Sequence, residues 1–318
     1  MDLDKFRDRC ARAFGNAAPS SVLERVRAIV GSENAMPATE EGRLAVEAYK
    51  TLMTGGEPTP MGLSALQFLI RLTRPAPLVH KGKPDALQRD HVDTFPTWAA
   101  FQDAVGCLPL VGRIDRASPT LATAESIGSG MLLTADLLLT NRHVVNVLSR
   151  GTDRLEEGQA VVRFAFEDDS FAPDAPVPVV KVEAMHETLD MALLRLKSGA
   201  GLPASGSVAP LDATPLGANT DVVVVGYPLN DKERNPLFIG NIFGTEFGVL
   251  RASPGQCTRT FDNGFYHDCS TLGGNSGSPV FSLEGARLVG LHTGGGFLWK
   301  NAAVSAAAIK QFVDNVPH

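Results

Sequence analysis

From about residue 108 the chain consists of short aliphatic and β-branched runs, and this texture constrains the fold more than any other feature. LLLTN (137–141), AVVRFAF (160–166), VPVVKVEAM (177–185), MALLRL (191–196), DVVVVGYP (221–228), GSPVF (277–281) and ARLVGLHT (286–293) are parted by Gly, Pro, Asp and Asn. Each run is shorter than a typical helix, and β-branched side chains pack well on a pleated surface. Several such strands with turn signals between them predict an all-β sandwich or barrel.

Residues 1–75 follow a different grammar. Leu3, Phe6, Cys10 and Ala13 recur at helical spacing. SSVLERVRAIVG offers a capping box, Ser21 with Glu24, and a stop at Gly31. TEEGRLAVEAYKTLMTGG and TPMGLSALQFLIRLTRP each open on Thr, carry an apolar stripe and end in Gly-Gly or Pro. Residues 76–118, rich in Pro and charge at their start, read as a linker holding one short helix in FPTWAAFQDAV, with Pro96 near its first turn. SAAAIKQFVDNV closes the chain as a helix. The expected organisation is therefore multidomain: a helical segment 1–75, a linker 76–118 and a β-rich domain 119–318.

The formal charge of −6 and the absence of a Lys/Arg-rich run argue against a nucleic-acid surface. No stretch approaches the roughly 18 apolar residues of a membrane span. The first residues, MDLDKFRDRCARAF, lack the apolar core of a signal peptide. Four cysteines are too few for a disulfide-scaffolded secreted chain. A cytoplasmic location is expected, with no membrane or nucleic-acid partner.

Chemistry concentrates in LGGNSGSPVF (272–281). Glycines at 273, 274 and 277 allow backbone angles that side-chain-bearing residues avoid. Such a bend can push the Ser276 hydroxyl outward while N–H groups turn to the same point, which suits a nucleophile beside an oxyanion hole. A serine nucleophile needs a base. Of seven histidines, only His143, in ADLLLTNRHVV, directly follows an apolar strand. Asp190 precedes the apolar run of HETLDMALLRL and is the candidate to orient that base. Alone, each has a structural reading: a glycine turn, a packed histidine, a solvated turn aspartate.

Together, His143, Asp190 and Ser276 stand in the His…Asp…Ser order of the chymotrypsin arrangement. With GSGMLLTADLLLTNRHVV, DMALLRL, VVVVGYP, STLGGNSGSPVF and LVGLHTGG in register, residues from about 119 to 318 resemble the trypsin-like serine peptidases, and within them the bacterial glutamyl endopeptidases. The resemblance implies a chymotrypsin-like double antiparallel β-barrel, two barrels of six strands with the cleft between them, following the N-terminal helical bundle and ending in the C-terminal helix. It implies Ser276 as nucleophile, His143 as base, Asp190 as its orienting partner and the N–H groups of Gly274 and Ser276 as the oxyanion hole. No cofactor or metal is implied, and the partner is a protein or peptide substrate.

The same resemblance implies that Thr271 and the His292 of an H-x-G stretch ending at Gly294 line the pocket for the residue before the cut, with Ser270 at or near its floor. A hydroxyl and an imidazole can both donate to a carboxylate, so cleavage after Glu is expected, the imidazole being cationic if it gains a proton with the substrate. The alternative is a packed His292 with a preference for small or apolar residues. Two departures stand out. Asn275 occupies the place where trypsin has an Asp that pairs with a freed N-terminus, and Val144 replaces the Cys that often follows the catalytic His in secreted relatives.

CTRTFDNGFYHDC (257–269) reads as a hairpin turning at Asp262-Asn263-Gly264, with Gly264 left-handed and Cys257 opposite Cys269, a pair that can bridge if oxidised and in a reducing compartment stays as two buried thiols. His267 and Asp268 lack a four-ligand set for zinc. Residues 1–75 carry no recognisable chemistry. They are expected either to cover the barrel or to act as an adaptor or regulatory domain for a protein partner, as helical extensions do in some intracellular bacterial peptidases of defence systems. A catalytically silent binding module working through these helices is the rival class.

Overall fold

The computed structural model describes residues 2–30, 39–88, 91, 94–117, 125–164, 175–199, 201–203, 211–233, 236–295 and 300–316. The Gly31 stop, the 118–119 boundary and the end of the AVVRFAF run lie outside them.

Four helices open the chain: α1 (Leu3–Phe14), α2 (Val22–Val30), α3 (Thr39–Met53) and α4 (Pro60–Leu72). Asp2 caps α1 by accepting from Lys5 N at 3.1 Å, and Thr59 caps α4 by accepting from Gly62 N at 3.1 Å. Both caps satisfy amides that a helix start leaves without partners. Phe6, Cys10, Phe14, Val26, Tyr49, Leu52, Leu66 and Leu69 form one buried core, with Phe14 and Tyr49 edge to face.

Twelve strands then build two closed antiparallel barrels. The first contains β1 (Val111–Arg116), β2 (Glu125–Leu132), β3 (Leu137–Thr140), β4 (Ala160–Phe164), β5 (Val177–Met185) and β6 (Ala192–Leu196), in the order β1-β2-β3-β6-β5-β4. The second contains β7 (Asp221–Gly226), β8 (Arg251–Phe261), β9 (Gly264–His267), β10 (Pro279–Ser282), β11 (Leu288–Gly295) and β12 (Asn301–Ser305), in the order β8-β9-β12-β11-β10-β7. Closure removes exposed sheet edges, which suits a chain whose strands are this short. This is a chymotrypsin-like fold. Later helices are α5 (Trp98–Ala104), α6 (Arg142–Leu148), α7 (Pro236–Phe243) and the C-terminal α8 (Ala306–Asp314).

The segment expected as linker is built into the fold. Phe95, Trp98, Phe101, Leu108 and Leu110 are buried in the same cluster as Ile114, Leu138, Val225 and Phe281 of the barrels. The first barrel also draws β1 from this segment, ahead of residue 119. The hairpin register differs from expectation too. Phe261 pairs with Gly264 around a two-residue turn, and a bulge then sets Cys257 opposite His267, not Cys269. Asn263, at φ 62°, takes the left-handed position, and Gly264 is needed instead because a Cβ would collide with the Ala303 carbonyl. Cys257 and Cys269 are unbridged and buried, as is the rest of the chain's cysteine complement.

The helical segment is clamped to the second barrel. Arg12 donates to both Asp221 carboxylate oxygens at 2.7 and 2.9 Å, Asn219 Nδ2 donates to Lys5 O at 2.7 Å, and Phe68 meets Phe238 of α7 edge to face.

Candidate active site

β3 runs into α6, and His143 occupies the second position of that helix. Its backbone N–H donates to Asp190 Oδ1 at 2.9 Å, and its ring Nδ1 lies 2.7 Å from Asp190 Oδ2. Asp190 sits on the bend before β6, where Asn141 Nδ2 donates to its carbonyl at 2.8 Å. Held by backbone and ring at once, the carboxylate fixes the imidazole. An ionised carboxylate only accepts, so Nδ1 carries the proton and Nε2 is left as a base.

Ser276 enters from the other barrel, on the loop leading to β10. Among residues 274–278 it is the one that keeps partial solvent access. A Cβ added to Gly128 on β2 would lie 2.8 Å from Val144 Cγ2 and 2.9 Å from Ser276 O. The residue after His143 and the backbone of Ser276 thus converge on one glycine, at the seam of the barrels.

The peptide orientations in this loop follow from its hydrogen bonds. The Gly273 carbonyl accepts from Leu229 N at 2.7 Å, and the Asn275 carbonyl accepts from Ser278 N at 3.0 Å. In a trans peptide the N–H points opposite to the C=O, so the N–H groups of Gly274 and Ser276 are turned away from those partners. Asn275 N donates to Leu272 O and Gly277 N to His292 O, whereas the N–H groups of Gly274 and Ser276 donate to no acceptor among the described residues. Gly274 and Gly277 take φ of 86° and 85°, which favours glycine. A Cβ at Gly277 would also strike Ser129 O and Thr140 Oγ1.

Ser129 of β2, fully buried, is a positioning residue that the sequence reading passed over. Its Oγ donates to Gly274 O at 2.7 Å and accepts from Tyr227 N at 3.1 Å, while its N–H donates to Ser276 O at 2.7 Å. One strand of the first barrel therefore grips the Ser276 loop of the second. Its only sequence signal was a serine between two glycines in GSGMLL.

Beside the loop, β11 carries His292, whose N–H donates to Ser278 O at 2.8 Å. His292 and His267 are both buried, and His267 Nε2 lies 3.1 Å from His292 Nδ1. Burial, with His267 and His143 nearby, pushes His292 well below the usual imidazole range. Burial likewise takes His267 down to about 3, against the pull of Asp268 and with a smaller push from Arg71. Both rings are thereby held neutral at pH 7 in the free protein, so His292 would act as a cation only by gaining a proton with the substrate. His267 Nδ1 is buried with no hydrogen-bond partner among the described residues. The tautomer with the His267 proton on Nε2 leaves no unpartnered N–H at Nδ1 and lets Nε2 donate to His292. That proton is donated to His292 Nδ1, and His292 keeps its own on Nε2, facing no acceptor among the described residues.

Thr271 is buried and its hydroxyl has no partner among the described residues. Ser270 is committed elsewhere: its Oγ donates to Arg74 O at 2.8 Å, so its hydroxyl serves the contact with the helical segment rather than the pocket floor. At Gly294 an added Cβ would meet nothing within 4 Å, which leaves open space over β11. His267, dismissed in sequence as a poor zinc ligand, stands behind His292. Only its place across β12 from His292 reveals that.

A double barrel with a His–Asp pair from one half and a serine loop with two undonated amides from the other defines the class of chymotrypsin-fold peptidases. The family model for the trypsin-like peptidase domain matches residues 128–291, and the chain belongs to that family. It is 30% identical over 256 residues to a probable serine protease of Lysobacter enzymogenes, covering 68% of this chain and 66% of that protein. It is 28% identical over 177 residues to a glutamyl endopeptidase of Staphylococcus aureus strain MW2, covering 54% of this chain and 48% of that one. The chain thus spans about two thirds and about half of these relatives' lengths. Among solved structures it is similar to a serine endoprotease from Yersinia pestis, at 20% identity and a TM-score of 0.47, covering 68% of this chain and 66% of that one.

Proposed function

We propose that this chain is a serine endopeptidase acting through His143, Asp190 and Ser276 and cleaving after glutamate. The observation that carries the activity is the pair of outward, undonated N–H groups at Gly274 and Ser276 beside a histidine already held by its aspartate. Ser276 Oγ attacks the peptide carbonyl as His143 Nε2 takes its proton, and Asp190 stabilises the imidazolium. The two amides receive the oxyanion. Collapse breaks the C–N bond, His143 returns the proton to the leaving amine, and water repeats the sequence on the acyl ester to free Ser276. Each oxyanion donor is worth about a hundredfold to a thousandfold in turnover. Because the carbonyls of this loop are tied elsewhere, the donors need no rearrangement when charge develops.

For the glutamate preference, His292 Nε2–H and the Thr271 hydroxyl supply two neutral donors to a side-chain carboxylate, with His267 holding the imidazole in the donating tautomer. Residues 1–75 are proposed to set the shape of this pocket, since Arg74 donates to Asp268, next to His267, and accepts from Ser270, next to Thr271. Fluorophosphonate labelling tests the activity: the intact protein is labelled and Ser276→Ala is not. Failure of the intact protein to react under any condition would defeat the reading. Peptide-library cleavage by wild type and His292→Ala tests the pocket. A preference other than Glu, or one indifferent to the substitution, removes the second half of the proposal.

A further inference from the structure

Residues 186–191 lead from β5 into β6 and carry Asp190, and one side chain that the proposed chemistry does not use sets their conformation. His186 Nδ1 accepts from the backbone N–H groups of Thr188 and Leu189, at 3.2 and 3.0 Å. A ring nitrogen that accepts carries no proton, so His186 holds its proton on Nε2. Its own backbone N–H donates to Met191 O at 3.0 Å, and Met191 N donates to Leu189 O at 2.9 Å. These bonds close a tight turn with Asp190 at its centre.

The turn is braced from two sides. Arg142, the residue before His143, donates through Nη1 to Glu187 O at 2.6 Å. Phe312 of α8 meets the His186 ring edge to face, with centroids 5.4 Å apart. Leu189 and Met191 join the apolar cluster of Ala308 and Ile309 on that same helix. Glu187 and Thr188 stay exposed, so without an acceptor from the protein their backbone is free to take other conformations in water. Receiving the N–H groups two and three residues on is what Asn, Asp or Ser does where a turn or helix begins. Histidine Nδ1 lies as many bonds from Cα as asparagine Oδ1, which lets the imidazole take that role here.

We propose that His186 is a positioning residue, whose Nδ1 moulds the turn that aims the Asp190 carboxylate at His143. This role rests on the peptidase reading above and reaches the reaction only through Asp190, whose two oxygens meet the backbone N–H and the Nδ1 of His143 together. A misplacement of about an ångström in such a group costs on the order of a hundredfold in rate.

Fluorophosphonate labelling and steady-state cleavage of a peptide taken from the library test it in the full chain. His186→Phe keeps a ring against Phe312 but has no acceptor, and His186→Gln keeps a polar side chain whose oxygen lies one bond too far out. Both should fall about tenfold to a hundredfold in labelling rate and in kcat, with KM little changed. His186→Asn loses the ring contact but returns an acceptor at the right distance, so it should keep most of the wild-type rate. Circular-dichroism spectra and Tm should show all three variants folded. A wild type that does not react defeats the peptidase reading itself. With a reactive wild type, three results overturn the role of His186 alone: undiminished rates in His186→Phe and His186→Gln, a His186→Asn as slow as those two, or a loss confined to KM.

Discussion

Arg74, fully buried just past the end of α4, donates through Nη2 to Asp268 Oδ2 at 2.8 Å and to Gln256 Oε1 at 3.0 Å. Asp268 is itself 1% exposed and accepts from Gln256 N at 2.6 Å, one residue past His267. A charge from the helical segment is thus locked inside the second barrel, directly behind the histidine pair. Burial by itself raises the Asp268 carboxyl, but Arg74, Arg9 and the hydrogen bonds together outweigh it and bring it to about 2.

The two ends of this contact should differ when cut. Removing one partner of a buried pair costs about 3–5 kcal/mol because the other is left uncompensated. Arg74→Met leaves Asp268 with Arg9 beside it, whereas Asp268→Ala strands the buried guanidinium groups of Arg74 and Arg9. Urea unfolding should show Asp268→Ala as the more destabilised variant, and the double variant as less destabilised than the sum of the singles. Equal losses, or strict additivity, would contradict a shared buried network.

Ser129 offers a test that separates turnover from binding. Ser129→Ala removes the donor to Gly274 O and the acceptor of Tyr227 N but keeps the backbone N–H that holds Ser276 O. It should lower kcat by about tenfold to a hundredfold through a loosened oxyanion loop, with KM little changed. The buried amide of Tyr227, left without its partner, costs about 1–3 kcal/mol of stability. Gly277→Ala should be worse on both counts, since a Cβ there meets backbone at a left-handed φ. A rise in KM with unchanged kcat would place Ser129 in substrate binding instead.

Most of the strands and the order of the three triad candidates were legible because hydrophobic runs and glycine loops are local features. β1 was not, for a physical reason. In VGRIDR the buried set includes Arg113 and Asp115, with Asp115 fully enclosed between Arg113 Nε and Arg163 Nε at 2.9 Å each. Buried ion pairs give a strand the composition of a linker, and the partner, Arg163, lies on β4. The hairpin register was missed because a bulge near Thr258 is set by packing on neighbouring strands, not by the turn residues. His267 and Arg74 gain their roles only from contacts across the fold.

Acid stability follows from the histidine pair. His267 falls from an ordinary value of 6.5 to about 3, and His292 moves the same way. A histidine whose pKa is lowered on folding binds its proton more readily in the unfolded chain. Stability from these groups is therefore whole above about 6.5 and is lost as pH falls towards 3. Unfolding followed from pH 7 to 4 should show a declining midpoint, with a shallower decline in His267→Phe. An identical slope in both would remove His267 as a cause.

Neutrality of His292 also fixes how selectivity should depend on pH. A cationic imidazole would recognise a carboxylate only below its pKa, so preference for Glu over Gln would fade as the ring lost its proton. A neutral ring in the tautomer assigned here keeps Nε2–H throughout the alkaline range, and the Thr271 hydroxyl is equally indifferent. The ratio of kcat/KM for matched Glu and Gln peptides should accordingly stay flat from pH 6.5 to 9, even where the absolute rates change. In His267→Phe, His292 Nδ1 loses its donor and either ring nitrogen can carry the proton, so the Glu preference should fall several-fold at every pH. A Glu/Gln ratio that drops tenfold per pH unit across this range would show that the pocket works with a cation after all.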